Sequence, residues 1–419
     1  MSFYSSGLKT DYVDPVYDRK NFRSEFRLDA DTLYLSNLRL LDVSAKTAAG
    51  TAEYNALGGC FALIKSIQLL DGNERLDAVH QFHLSSAFKN YNNSNEANRN
   101  VKAETAKNSL GYVFNGVQGA GSSAQIEVAN PPDNMTTSES TTAKSWIDLK
   151  KAMPFLDAVN YLPTNVFKNL RVVVEYNTDS SLFARSSVTT FETIQPLLVV
   201  DEMQDSDTKM QLMKSFQGAN YVSLENDRVI IPAGSGVDAA NPNPTQSTNL
   251  LVNGFNNKRV NRMFMVNTPT VEATYKTAGV DDGFGRLSSM AQLDQSVNFR
   301  VNGSNLLPYA VDRPNKRLGR LTDVWGTCNT FSNDLFIVDA SNHIEAPDRL
   351  GKCDYQAANM HGMRVRELQL QYSRTNEYDA ALPSQSNGLY NQKLELNLFA
   401  EVQKVLSVKP NGEYDVSYM

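Results

Sequence analysis

For most of its length this chain sets apolar residues against polar ones in short runs with a period of two, the pattern of strands with one buried face. Residues 22–28 (FRSEFRL) and 32–41 (TLYLSNLRLL) place Phe22, Phe26 and Leu28, then Leu33, Leu35, Leu38 and Leu40 in such runs. Residues 62–70 (ALIKSIQLL) are more continuously apolar, which predicts a deeper strand, and Asp71-Gly72 supplies a turn to close it. Over 74–91 the spacing lengthens. Leu76, Val79 and Phe82, then Leu84, Phe88 and Tyr91, predict one face of an amphipathic helix. A second short helix is expected over 100–110 and a third over 146–156, ended by Pro154. Residues 115–143, rich in Gly, Ser, Thr, Asn and Pro, predict a long loop. Residues 170–176 (LRVVVEY) make the strongest strand by β-branched content, and 190–200 (TFETIQPLLVV) predict another, with Pro196 marking an edge or a bulge.

A polar, Met-rich stretch over 201–217 then interrupts the strands and reads as a domain boundary. The second half repeats the texture, with strands expected at 220–224, 228–231, 259–266, 296–301, 334–338, 365–372 and 393–402. A closing hairpin joins 404–408 to 414–418 around Asn411-Gly412. Long loops are expected at 232–249 and about 341–362, and no short-period repeat points to a solenoid or propeller. Two consecutive units of many short strands, with helices inserted in loops, predict an all-β chain of two β-sandwiches. The jelly roll is the natural candidate because it hides its edges in paired sheets. The units are expected at 21–205 and 206–419, preceded by an extended N-terminal arm, 1–20, ordered only by a neighbour.

Composition changes the picture in two ways. At 419 residues the chain is long for one domain and natural for two. A formal charge of −6 argues against a dedicated nucleic-acid binder, and the first thirty residues balance five basic side chains against five acidic ones. Cys60, Cys328 and Cys353 make no disulfide framework and suit a reducing compartment. No apolar leader opens the chain and no run reaches membrane-spanning length, so a soluble intracellular product is expected. Asn134-Met-Thr and Asn302-Gly-Ser match glycosylation sequons, which such a product would not use.

Candidate chemistry is sparse. His80 and His83 could share a helical face for a metal, but no nearby Cys adds ligands. His343 and His361 flank Cys353 without a protease signature around it. Asp205-Ser-Asp207 fails the calcium-loop pattern at its fifth position, and Asp281-Asp282-Gly283 reads as a turn. Gly119-Ala-Gly121 lacks the third glycine of a dinucleotide site, and HExxH, GxSxG and GxxxxGK[ST] are absent. Two basic clusters, Lys258/Arg259/Arg262 and Arg313/Lys316/Arg317/Arg320, read as solvated loops or subunit contacts, with an acidic or phosphate partner the lesser reading. No catalytic, cofactor-binding or metal-ligating residue is assigned, and no enzyme is expected.

The runs NFRSEFRL, TLYLSNLRLL and LGGCFALIKSIQLLDGNERLD, the last leading into AVHQFHLSSAFKNYNNSN, carry a resemblance. With SVNFRVNGSNLLP and the terminal RVRELQLQYSR and LELNLFAEVQKVLSV, the chain resembles the major capsid proteins of the double jelly-roll lineage, nearest to those of polinton-like viruses and virophages. The resemblance implies two consecutive eight-stranded jelly rolls standing perpendicular to a shell. It implies homotrimers that form pseudo-hexameric capsomers of an icosahedral, double-stranded DNA virus. Penton and minor or cement proteins would be partners, the virion the destination, and the host cytoplasm or a virus factory the place of synthesis. The loops 115–143, 232–249 and 341–362 would form towers and contacts. Two other classes compete. A carbohydrate-binding or carbohydrate-cleaving sandwich calls for surface Trp platforms, and only Trp146 and Trp325 exist. A viral spike calls for repeats or a fibrous segment, which are absent.

Overall fold

The computed structural model describes residues 7–47, 54, 58–93, 112–114, 126–128, 145–184, 190–236, 241, 243–269, 295–312, 314–326, 355–375, 390 and 393–419. The first half builds two facing sheets. One runs in the order Trp146–Asp148, Arg39–Leu41, Leu197–Met203, Leu33–Leu35, Tyr161–Pro163, and Leu8–Val13 also pairs with Leu197–Met203. The other runs Tyr17–Arg19, Arg23–Arg27, Leu170–Tyr176, Ile64–Asp71, Glu74–His80. Leu170–Tyr176 lies at the centre of this second sheet because its Val172 and Val174 are wholly buried, while Arg171 and Glu175 on the opposite face reach solvent and pair with neighbours.

The second half builds another pair. One sheet runs Gly218–Ile231, Leu394–Val408, Lys258–Pro269, Gln356–Val365, with Tyr414–Tyr418 also pairing with Leu394–Val408. Its partner runs Thr245–Val252, Leu368–Thr375, Ser296–Val301, Ser304–Asn305. Sheet neighbours come from distant parts of the chain, so the connections cross between sheets and do not meander, as a jelly roll requires.

The longest ladder decides how the halves meet. Gly218–Ile231 pairs with Leu394–Val408 from Gly218 opposite Ser407 to Ile231 opposite Leu394. Leu394, Leu396, Leu398, Ala400 and Val402 point into the second sandwich. Phe399, on the opposite face, and Leu406, near the end of the strand, belong to the core of the first, together with Tyr221, Leu224, Phe264 and Val266. A sheet apolar on both faces therefore serves two cores. The run Leu398, Phe399 and Ala400, all three wholly buried, is where Leu394–Val408 serves both at once.

Several expectations need correction. Residues 74–80 are a strand, Glu74–His80, and the helix begins only at Phe82–Asn93. Gly72, at φ 59°, turns Ile64–Asp71 back on itself as a hairpin, and Gln81, at φ 51°, breaks the strand before the helix. The stretch over 146–156 splits into strand Trp146–Asp148 and helices Leu149–Ala152 and Pro154–Ala158. Pro154 opens the second helix, where its missing N–H costs nothing, instead of closing the first. The basic run after 313 is not a solvated loop but the helix Pro314–Trp325, in which Arg317 is buried and donates to the Gln295 carbonyl. Residues 8–13 do not wait for a neighbour but pair within the chain. The strands at 220–224 and 228–231 are one, and 365–372 divides between Gln356–Val365 and Leu368–Thr375. The polar stretch at 201–217 holds the end of Leu197–Met203 and the helix Ser206–Ser215, which buries none of its residues. Thr245–Val252 occupies part of the loop expected at 232–249. The strand at 334–338, the helix over 100–110 and the loop near 341–354 lie outside the described residues.

Candidate assembly site

The densest polar chemistry lies where the two halves touch. Asp77, 1% exposed, sits in Glu74–His80 among apolar neighbours. Its Oδ1 accepts from the Ala78 N–H at 2.9 Å and from the Ser223 hydroxyl at 2.7 Å, and its Oδ2 accepts from the Phe155 N–H at 3.0 Å. Tyr221, two residues before Ser223, donates to the Leu76 carbonyl at 2.6 Å. One strand of the second half thus grips one strand of the first through two hydroxyls. Burial pushes the Asp77 carboxyl above its usual range, while the Phe155 N–H, Ser223 and the Lys404 charge pull the other way.

Beside this grip lies an ion cluster. Glu225 takes Lys258 at 2.5 Å, Lys404 at 2.9 Å and the Tyr418 hydroxyl at 2.8 Å. Burial works against the Glu225 charge, but Lys404, Lys258 and Tyr418 outweigh it and hold its pKa below the usual value. Burial, then Glu225 itself, pushes the Tyr418 hydroxyl up to about 12. The C-terminal strand is tied down a second time, by Tyr414 donating to Asp71 at 2.9 Å. Glu225→Gln leaves Lys258 and the buried Lys404 without their anion, and a loss of about 2–3 kcal/mol in unfolding free energy is expected at pH 7. Because the folded pKa is depressed, that contribution is full above the unfolded value of about 4.3 and fades as pH falls through the folded value. Urea unfolding from pH 3 to 8 reads this as a deficit that shrinks on the acid side.

An aromatic stack completes the junction. Phe264 lies between Phe88 of the helix Phe82–Asn93, at 3.8 Å, and Phe399, at 4.8 Å. Trp325 meets Phe88 and Phe264 edge-on, and Arg262 lies 3.8 Å over its ring while holding Glu401 through two bonds. These contacts join the two sandwiches along their seam.

The outer face of the Leu197–Met203 sheet carries a second feature. Strand register puts Trp146, Leu41 and Leu197 in one row and Asp148, Arg39, Val199 and Tyr12 in a parallel row on the same face. Trp146 is 41% and Tyr12 66% exposed, and Arg39 lies 5.5 Å over the Trp146 ring while bonded to Asp201. Val16, Tyr17 and Phe22, at the Tyr17–Arg19 edge of the facing sheet, are exposed as well. Exposed Trp, Tyr and Arg around aliphatic side chains are the composition of protein–protein hot spots.

The residues weighed for chemistry go elsewhere. His80, at a strand end, meets Arg75, and burial and that charge lower its pKa. His83 is buried in the helix, and no group of three His, Cys, Asp or Glu gathers for a metal among the described residues. Asp205 caps the helix Ser206–Ser215 through the Thr208 N–H. His361 stands on Gln356–Val365 at φ 50°. Of the basic clusters, Lys258 and Arg262 belong to the junction, Lys316 pairs with Asp312 and Arg320 with Asp323. Asn302 spends its amide on Arg364, Arg366 and Glu367. His343, Cys353, Arg313, Asp281, Asp282, Asn134 and Gly119 to Gly121 lie outside the described residues. Asp77, Tyr221 and Ser223 were not singled out from sequence. The one available signal was a lone Asp inside an apolar run.

No protein-family model and no curated protein matches the chain. Solved structures do. The chain is similar to PBCV-1 VP54, a crystal structure fitted into a reconstruction of the virophage Sputnik, with TM-score 0.62 and 11% identity over 98% of this chain and 97% of that one. It is similar to the mavirus major capsid protein, at TM-score 0.55 and 10% identity over 100% and 91% of the two chains. It is also similar to the Faustovirus major capsid protein, at TM-score 0.56 and 9% identity over 98% and 92%. The fold is a double jelly roll. Both sandwiches and the junction lie within the shared region, since the likeness covers nearly every residue. In this double jelly roll the Asp77 and Phe264 contacts hold the two rolls side by side, and the Trp146 face looks outward from the first.

Proposed function

We propose that the chain is a major capsid protein, a structural subunit without catalysis, of an icosahedral double-stranded DNA virus related to virophages and polinton-like viruses. The observation that carries this reading is the double jelly roll itself, shared end to end with capsid proteins. Three chains with two similar upright rolls each present six rolls around an axis, so a closed homotrimer tiles as a pseudo-hexamer. A rigid junction suits that role, because a hinge between the rolls would blur the six-fold outline. The rolls are assigned to 21–205 and 206–419, with the strands Leu8–Val13 and Tyr17–Arg19 added to the sheets of the first. Penton and minor or cement proteins are the expected further partners, the virion the site of action, and the host cytoplasm or a virus factory the site of synthesis.

Light scattering after size exclusion tests the reading. Three chains of 46.5 kDa, about 140 kDa together and stable to dilution, are expected. A well-folded monomer would overturn it. We place the exposed Trp146 face in the subunit contact. Trp146→Glu is then expected to shift the population toward monomer at least tenfold with an unchanged melting curve, since the side chain lies outside the core.

A further inference from the structure

The outer sheet of the second roll holds a cleft of about 300 Å³, at the small end of ligand pockets. Its floor is two cross-strand rows. Ser247, Ser373 and Ser296 stand opposite one another across three strands, and two residues further along Asn249, Gln371 and Asn298 do the same. A row of hydroxyls beside a row of amides is thus laid out on one face. Ala310, just before the Val311–Val297 bridge, adds to the lining.

Among the described residues none of these six side chains makes a hydrogen bond, although each carries donors and acceptors. Asn298 is the telling one. It is 8% exposed, and its Oδ1 is buried without a partner. A polar group buried unpaired at the edge of a cleft is costly unless something that enters the cleft reorders it.

We infer that this cleft binds an uncharged polyhydroxyl ligand, the chemistry of a neutral glycan. No Lys, Arg, Asp or Glu is among the described lining residues, so a charged ligand would lose its hydration without a counter-charge. Among the described lining residues only Ala310 has a purely apolar side chain, and Tyr372 is 1% exposed, so an apolar ligand gains little. Vicinal hydroxyls, each donor and acceptor, match side-chain amides that offer both in one plane. An extended peptide fits less well, because it docks through main-chain groups. Those of Leu368–Thr375, at the middle of the floor, are already spent in the ladders to Thr245–Val252 and Ser296–Val301. The inference does not rest on the capsid reading.

Saturation-transfer NMR on the full chain tests it, using the methyl glycosides of glucose, galactose, mannose and N-acetylglucosamine, with methyl glucuronide as the charged control. Transfer to at least one neutral glycoside and none to the glucuronide is expected. The paired variant Asn249→Ala/Gln371→Ala, changed only at solvent-facing positions, is expected to melt like the parent and bind at least tenfold more weakly. Absence of transfer to every neutral glycoside, or undiminished binding by the paired variant, overturns the proposal. So does binding of a Ser-Asn-Gly peptide with none of any glycoside, which would make the cleft a peptide contact.

Discussion

Replacing Asp77 by Ala is expected to lower the unfolding free energy by about 3–5 kcal/mol, among the largest single effects in the molecule. The substitution strands two backbone N–H groups, of Ala78 and Phe155, and the Ser223 hydroxyl in a site that water does not reach. Asp77→Asn is milder, about 2 kcal/mol, because one amide oxygen still accepts while the NH2 group is forced against a donor. The two variants separate the carboxyl's shape from its charge. Burial raises the folded pKa of Asp77, so its contribution is full below the unfolded value of about 3.9 and is lost as pH rises through the folded one. The deficit of Asp77→Asn against the parent is therefore expected to be widest near pH 4 and to narrow toward pH 8. Glu225→Gln runs in the opposite sense. Urea unfolding of both variants across that range reads the difference, and parallel pH trends would refute the assignment of a buried, reluctantly charged Asp77.

What the sequence disclosed followed from burial geometry. Arg23–Arg27, Leu170–Tyr176, Ser296–Val301 and the hairpin ending in Tyr414–Tyr418 were legible because each buries one face, or turns at a residue such as Gly412 with φ 83°. Glu74–His80 was misread because four consecutive residues, Leu76 to Val79, are buried, some toward the first core and Asp77 toward the second roll. Without alternation, Leu76 and Val79 fell by chance on a helical spacing that continued into the true helix. Thr245–Val252 was hidden for the converse reason: only Val252 of its eight residues is buried, so its outer face reads as loop. Pro314–Trp325 was masked by its basic residues, one of which is turned inward. The two-roll architecture survives such errors because it depends on many strands and not on any one. The junction does not, since Asp77 meets Ser223 across 146 residues and neither position carries a local mark of that pairing. The Trp146 face was equally silent, because its two rows are joined only by strand register.

The second large effect belongs to Phe264. Phe264→Ala is expected to cost about 4 kcal/mol, the range for emptying a buried Phe site that cannot collapse. Collapse is hindered here because the ring is held from several directions. Phe88 and Phe399 stack on its faces, Trp325 meets it edge-on, and the backbone is fixed between Leu394–Val408 and Gln356–Val365. Phe264→Leu keeps most of the volume and loses the stacking, so about 1–2 kcal/mol is expected. The loss is also expected to be local before it is global. Phe88 is the rivet between Phe82–Asn93 and the second roll, so hydrogen exchange should quicken in that helix more than in Leu170–Tyr176, which lies away from the stack. A uniform loss of protection across both rolls would mean that Phe264 supports the whole fold and not the seam between its halves. An uneven loss would show that the rolls keep their own cores when the seam loosens. In that case the seam sets the rigidity of the subunit, and Phe264→Ala is expected to reduce the closed trimer even at temperatures where each roll remains folded.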